Sequence, residues 1–276
     1  MLQIVRRQTQ TAQSGALEFD MKTLLISAIA LSVAALAAMP ASAAPALPLG
    51  IIKNIVLVHG AFVDETSWDG VAAILSAKGF HVTEVKNPLT SLADDVTATN
   101  AVLDAQHGPT VLVGHSWGGV VIGEAGGNPK VKSLVYVSAF APDKGETVGK
   151  LAAAGPATPG VKAIEADAKG YLTIDKAQFP SVVAGDLPKA IGEALANKQM
   201  ALNHTAFDAP AEVAAWHTKP SWYVISTEDQ VLDPHAQQFF AERMKAKVTK
   251  VAGSHATLAS HAEAVAKVIE QAAGEN

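Results

Sequence analysis

Ser116 stands in the run Gly114-His115-Ser116-Trp117-Gly118-Gly119, directly after the apolar stretch Thr110-Val111-Leu112-Val113 and before Val120–Ala125, which reads as helix. A serine hydroxyl is a weak nucleophile. At a sharp strand-to-helix turn, however, its Oγ projects clear of the sheet while the following backbone N–H groups point into the same space. Glycine at 114 and 118 suits so tight a turn, since a side chain there would strike the neighbouring strand or helix. The chemistry these residue types allow is nucleophilic attack on a carbonyl.

Such a serine needs a base, and the base needs an orienting acid. Ser226-Thr227-Glu228-Asp229-Gln230-Val231 follows an apolar strand pattern, and Gly253-Ser254-His255 follows the last one. His255 is the expected general base and Asp229, in preference to Glu228, the carboxylate that fixes its tautomer. His261 competes with His255 but opens the final helical pattern, so it reads as a helix-terminal residue. His59-Gly60-Ala61-Phe62, after the first strand, can lend a backbone N–H that joins the one following Ser116 around a developing oxyanion. His59 and His115 read as structural, and Asp94-Asp95 as first-turn acids favoured by the helix dipole. His217 and His235 read as solvated or packed. Phe62, Trp117 and His204 are candidates to line a substrate cleft, whereas Trp68 reads equally well as a core aromatic. No histidine or acid pair has helical metal-ligand spacing, so no metal is expected.

These segments need a scaffold that brings loops distant in sequence to one place. Short apolar runs recur near residues 54–58, 81–85, 110–113, 133–138, 221–226 and 248–251, with helical patterns between most of them. The alternation predicts an α/β fold with a mostly parallel, doubly wound sheet. It breaks once: residues 142–219 show no convincing strand and read as a helical cap inserted between two late strands, over the crevice at the strand ends.

The chain has 276 residues, 49% of them hydrophobic, no cysteine and a formal net charge of −5. Disulfides and thiolate chemistry are thereby excluded, and the absence of a basic stripe argues against nucleic acid as a partner. Residues 21–43 read as a signal peptide: Met21-Lys22, a short apolar centre and Pro40-Ala41-Ser42-Ala43, with cleavage after Ala43. Residues 1–20 match no part of such a leader, and Met21 is an alternative start. The expected mature chain is a single domain over 44–276, periplasmic or secreted, without stable membrane anchoring. The oligomeric state is left open.

Val58-His59-Gly60-Ala61, the Gly114–Gly119 run, Thr227-Glu228-Asp229 and Gly253-Ser254-His255, in this order, resemble the α/β-hydrolase superfamily. Within it the chain is similar to the branch holding plant methyl esterases, hydroxynitrile lyases and bacterial esterases, over about residues 52–272. The resemblance implies a Ser116, His255 and Asp229 triad, backbone oxyanion donors at Ala61 and Trp117, no cofactor, and cleavage of small-molecule carboxylic esters. The branch's lyases carry a threonine where Gly60 stands and a lysine where Ala256 stands, which points to the esterases. Haloperoxidase-like members share the triad, which leaves perhydrolysis open, and haloalkane dehalogenases place an aspartate at the position of Ser116. Lactone or amide hydrolysis, lyase activity and non-catalytic binding of a small ligand are the alternatives. The Ala-rich insertion, without a basic cluster, suggests small uncharged or aromatic esters.

Overall fold

In the computed structural model, residues 50–274 are described, so the expected leader at 21–43 lies outside the described residues. The elements run β1 (Asn54–Val58), α1 (Asp69–Ala77), β2 (His81–Val85), α2 (Leu92–Ala105), β3 (Thr110–His115), α3 (Gly118–Ala125) and β4 (Val131–Val137). An insertion follows, then β8 (Ser221–Ser226), α9 (Pro234–Arg243), β9 (Lys247–Val251), α10 (Thr257–Ser260) and α11 (Ala262–Ala273). The six strands pair in the order β2-β1-β3-β4-β8-β9, every pair parallel.

Alternation along the strands divides the apolar residues between two cores. Val56, Val58, Leu112, Leu134, Tyr136, Tyr223 and Ile225 share one cluster with residues of α2, α3 and α9. Ile55, Leu57, Val111, Val113, Val135, Val137, Trp222 and Val224 share the other, with Val71 and Leu75 of α1 and the apolar stripe of α11. Central strands covered on both faces have no reason to alternate polar with apolar, which is why β1 and β3 read as unbroken apolar runs. Each fully buried aliphatic side chain contributes roughly 1.5–3 kcal/mol, so the two cores suffice to hold the sheet without disulfides.

Parallel pairing puts every strand's carboxyl end at one edge. In register, Val58 lies opposite Gly114, His115 opposite Val137, and Ser226 opposite Val251. The loops after β1, β3, β8 and β9 therefore open into the same space, although they are spread over some two hundred residues.

The insertion departs from the purely helical reading. It holds α4 (Val148–Ala153), α5 (Pro159–Lys162), β5 (Ile164–Ala166), β6 (Tyr171–Ile174), α6 (Phe179–Val182), α7 (Lys189–Asn197), β7 (Leu202–Asn203) and α8 (Thr205–Asp208). Its three strands form an antiparallel sheet in the order β5-β6-β7. They are two to four residues long, too short for a period-two pattern to stand out in the sequence. Among the described residues no helix is long and apolar enough to cross a membrane.

Candidate active site

β3 ends at His115, and Ser116 turns the chain with φ at +52°. A left-handed conformation costs a non-glycine residue about 1–2 kcal/mol, and the turn is held against that cost by its bonds. Ser116 N donates to Val137 O (3.2 Å), while Ser116 O accepts from Gly119 N (3.0 Å) and Phe140 N (3.2 Å). The glycines let α3 start within contact distance of two strands. A Cβ on Gly118 would sit 2.5 Å from Val58 O, and one on Gly119 would strike Phe140 O. Gly60 obeys the same constraint: its Cβ would lie 2.9 Å from both His115 Nδ1 and Ser116 Cβ. A larger residue there, such as a threonine, would have to displace the turn.

Ser116, His255 and Asp229 form a hydrogen-bonded row. His255 Nε2 lies 2.9 Å from Ser116 Oγ, and His255 Nδ1 lies 2.7 Å from Asp229 Oδ2. All three residues are buried, Ser116 retaining 7% exposure. Asp229 Oδ1 accepts from Val231 N (2.8 Å) and Leu232 N (2.9 Å), and Oδ2 accepts also from Gln237 Nε2 (2.8 Å). A carboxylate saturated by these donors is an acceptor toward His255, so Nδ1 carries the ring proton and Nε2 faces the hydroxyl as a base. Glu228 is exposed and takes no part; only its backbone N–H is engaged, to Gly253 O.

Two residues without any motif complete the support. Gln237, wholly buried on α9, donates to Asp229 and to Leu232 O (2.8 Å), and its Oε1 accepts from Ser226 N (3.0 Å). His115 Nε2 donates to His255 O at 3.0 Å, with the two rings 4.8 Å apart. Burial, reinforced by the nearby His255, holds the His115 pKa well below the usual histidine value. It thus stays neutral and places no second positive charge beside the base. Only a polar residue on the core-facing side of α9 hinted at Gln237, and nothing in the sequence hinted at the His115 contact.

The loop after β1 is pinned through His59, whose Nδ1 bonds Gly60 O (2.9 Å) and whose Nε2 accepts from Asn87 N (3.0 Å). Burial lowers the pKa of this ring too. Beyond it, the backbone N–H groups of Ala61 and Trp117 donate to no acceptor among the described residues. The insertion grips the other side of the site. Val183 O accepts from Ala256 N (2.9 Å), and Ser254 Oγ lies 3.0 Å from Val183 O and 2.5 Å from Asp186 Oδ1. The residues flanking His255 are therefore held by the insertion as well as by β9. His261 stands before α11, 2.9 Å from Ser260 Oγ and 3.4 Å from Asp186.

The remaining candidates have separate surroundings. His204 is exposed, with its ring Nδ1 3.0 Å from Gly170 O in a turn of the insertion. A histidine in a helix-rich stretch gave no warning that a short strand would carry it outward. Asp94 behaves as a first-turn acid, accepting from Thr90 and Ser91 hydroxyls, but Asp95 is wholly buried and bonds the Trp117 indole (2.7 Å). Both acids sit in the first turn of α2 as expected; Asp95 is in addition turned inward, toward Trp117 at the head of α3. Trp68 is a buried core aromatic edge-on to His115. Phe62 is buried beside Ala61 at φ +66°.

A cavity of about 490 Å³ opens between the insertion and the segment after Asp229, lined by Phe140, Leu151, Val161, Leu232, Phe239 and Phe240 among others. None of the three triad side chains lines it, but Val231 and Leu232, whose N–H groups hold Asp229, form part of its wall.

Comparison with known proteins gives a consistent picture. The alpha/beta hydrolase family matches residues 55–268. A probable hydrolase of Phoma sp. is 28% identical over 252 residues, spanning 80% of this chain and 98% of its own. A pyrethroid hydrolase from Sphingobium faniae superposes with a TM-score of 0.68 at 23% identity, over 80% of this chain and 97% of that one. A methylesterase from Arabidopsis superposes with a TM-score of 0.66 at 18% identity, over 81% and 99%.

Proposed function

The chain belongs to the alpha/beta hydrolase family, and on that premise we propose that it is a serine hydrolase cleaving carboxylic esters of small, uncharged or aromatic molecules. The row Asp229–His255–Ser116, with N–H groups at Ala61 and Trp117 that donate to no acceptor among the described residues, is the observation that carries the reading. His255 Nε2 takes the Ser116 proton as Oγ attacks the ester carbonyl. The carbonyl oxygen becomes an oxyanion facing the N–H groups of Ala61 and Trp117. Collapse expels the alcohol, which leaves with the proton from His255, and an acyl-Ser116 remains. Water then attacks with His255 again as base, releasing the acid and restoring the serine. Asp229 keeps its charge throughout and stabilises the imidazolium. Each oxyanion donor in such sites is worth about 3 kcal/mol.

The steric limit at Gly60 with Ala256 after the base supports an ester over a cyanohydrin. The leader read at 21–43 supports export. N-terminal sequencing of exported protein is expected to begin at Ala44. The main test is a fluorophosphonate probe with short-chain p-nitrophenyl esters, lactones and amides. Wild type is expected to take the label and turn over esters, and Ser116→Ala to do neither. Labelling that persists in Ser116→Ala would overturn the proposal. Absent turnover and absent label in the wild type would point to a small-ligand binding protein instead.

A further inference from the structure

Apart from Asp229, the buried acids among the described residues are Glu270, which pairs with Lys78, and Asp95, which meets no cation. Asp95 Oδ2 accepts from Trp117 Nε1 (2.7 Å), and Oδ1 accepts from Leu89 N (2.8 Å). Its charged neighbour, Asp94, has the same sign, and burial raises the Asp95 pKa to about 6. Keeping a carboxyl in such a place costs stability unless the fold needs what it holds.

What it holds is the residue after the nucleophile. Trp117 is almost fully buried at the N-cap of α3, its indole nitrogen on Asp95 and its ring 5.7 Å from that of Phe207 in α8. The peptide joining Ser116 to Trp117 follows a left-handed serine. Turning that peptide over would change ψ of Ser116 and φ of Trp117 and swing the Trp117 N–H away from the carbonyl. An indole fixed at both its nitrogen and its face resists that turn. Leu89, itself at φ +58°, links the arrangement to the insertion, because its O accepts from Asn203 N (2.9 Å).

We infer that Asp95 is a positioning residue for the oxyanion site: through the Trp117 indole it holds the Trp117 backbone N–H toward the reacting carbonyl. The inference rests on the ester-hydrolase reading. The single variants Asp95→Asn and Trp117→Phe and their double combination test it in the full chain. Asn at 95 must turn an NH2 toward either the indole or Leu89 N–H, and Phe at 117 removes the donor while keeping the ring. In each single variant kcat on a p-nitrophenyl ester is expected to fall ten- to hundredfold with KM changing less than threefold. The rate of fluorophosphonate labelling should fall by the same factor, because the phosphonyl oxygen sits where the oxyanion would. The double variant should lose no more than the worse single one, since both remove one hydrogen bond.

Unchanged kcat in a folded Trp117→Phe, a loss confined to KM, or losses that multiply in the double variant would overturn the inference. If Asp95→Asn does not fold, Trp117→Phe decides by the same kcat and labelling criteria. A wild type that neither labels nor turns over any ester would overturn the hydrolase reading and this inference together. A wild type that does both, with unaffected variants, would overturn this inference alone.

Discussion

Two carboxylates are buried on different elements around Ser116, and they are treated differently. Asp229, on the loop after β8, receives two backbone N–H groups, a glutamine amide and a histidine N–H. Asp95, on α2, receives one backbone N–H and one indole N–H, and its pKa is raised to about 6 by burial. The difference lies in the donors: four on Asp229, one of them from a ring that can become charged, against two neutral ones on Asp95. Asp229 is equipped to remain an anion while charge develops on His255. Asp95 is equipped to hold a neutral partner in place.

The sharpest break of this contrast is Asp229→Asn. An amide in place of the carboxylate cannot fix the His255 tautomer, and in a comparable triad that change lowers kcat about 10⁴-fold. Steady-state kinetics with the fold checked by circular dichroism measures it. A loss no larger than that of Asp95→Asn would erase the distinction between the two acids. A smaller effect is expected for Gln237→Met, which fills similar volume but removes a buried donor from Asp229 and an acceptor from Ser226 N. One lost buried hydrogen bond to a charged group is worth roughly 1.5–3 kcal/mol, so kcat should fall about ten- to hundredfold at near-constant KM.

The last effect concerns stability, and it belongs to Asp95 alone. Between the ordinary carboxylate pKa near 3.8 and about 6, the folded chain retains on Asp95 a proton that the unfolded chain has released. Stability from this group therefore falls as pH rises through that window and is level above it, a change of about 3 kcal/mol. Thermal melts of wild type and Asp95→Asn from pH 4 to 7 should show the wild type losing ground to the variant across that range. A pH-independent difference would mean that Asp95 titrates as an ordinary surface acid.

Much of this was legible in the chain. Six apolar runs separated by helical patterns announce a parallel sheet, because strands buried on both faces must be apolar throughout. Ser116, Asp229 and His255, each just beyond such a run, lie within hydrogen-bonding distance because parallel strands end at one edge. The insertion was far less legible. Strands as short as Leu202–Asn203 leave no period to read, and the outward position of His204 follows from one of them. Gln237 and Asp95 were hidden for a related reason: helix patterns give a face, but not which polar residue on it meets a partner from another element.

Hydrophobic period and local turn chemistry, both written along the chain, set the sheet, the order of the loops and the identity of the groups able to act. Tertiary structure alone decided which acid faces the base, that Gly60 is bounded by His115 and Ser116, and that α2 lends Asp95 to Trp117. Those contacts join residues far apart in the chain, and only the packing of α2, α3, α9 and the insertion against the sheet sets the distances between them.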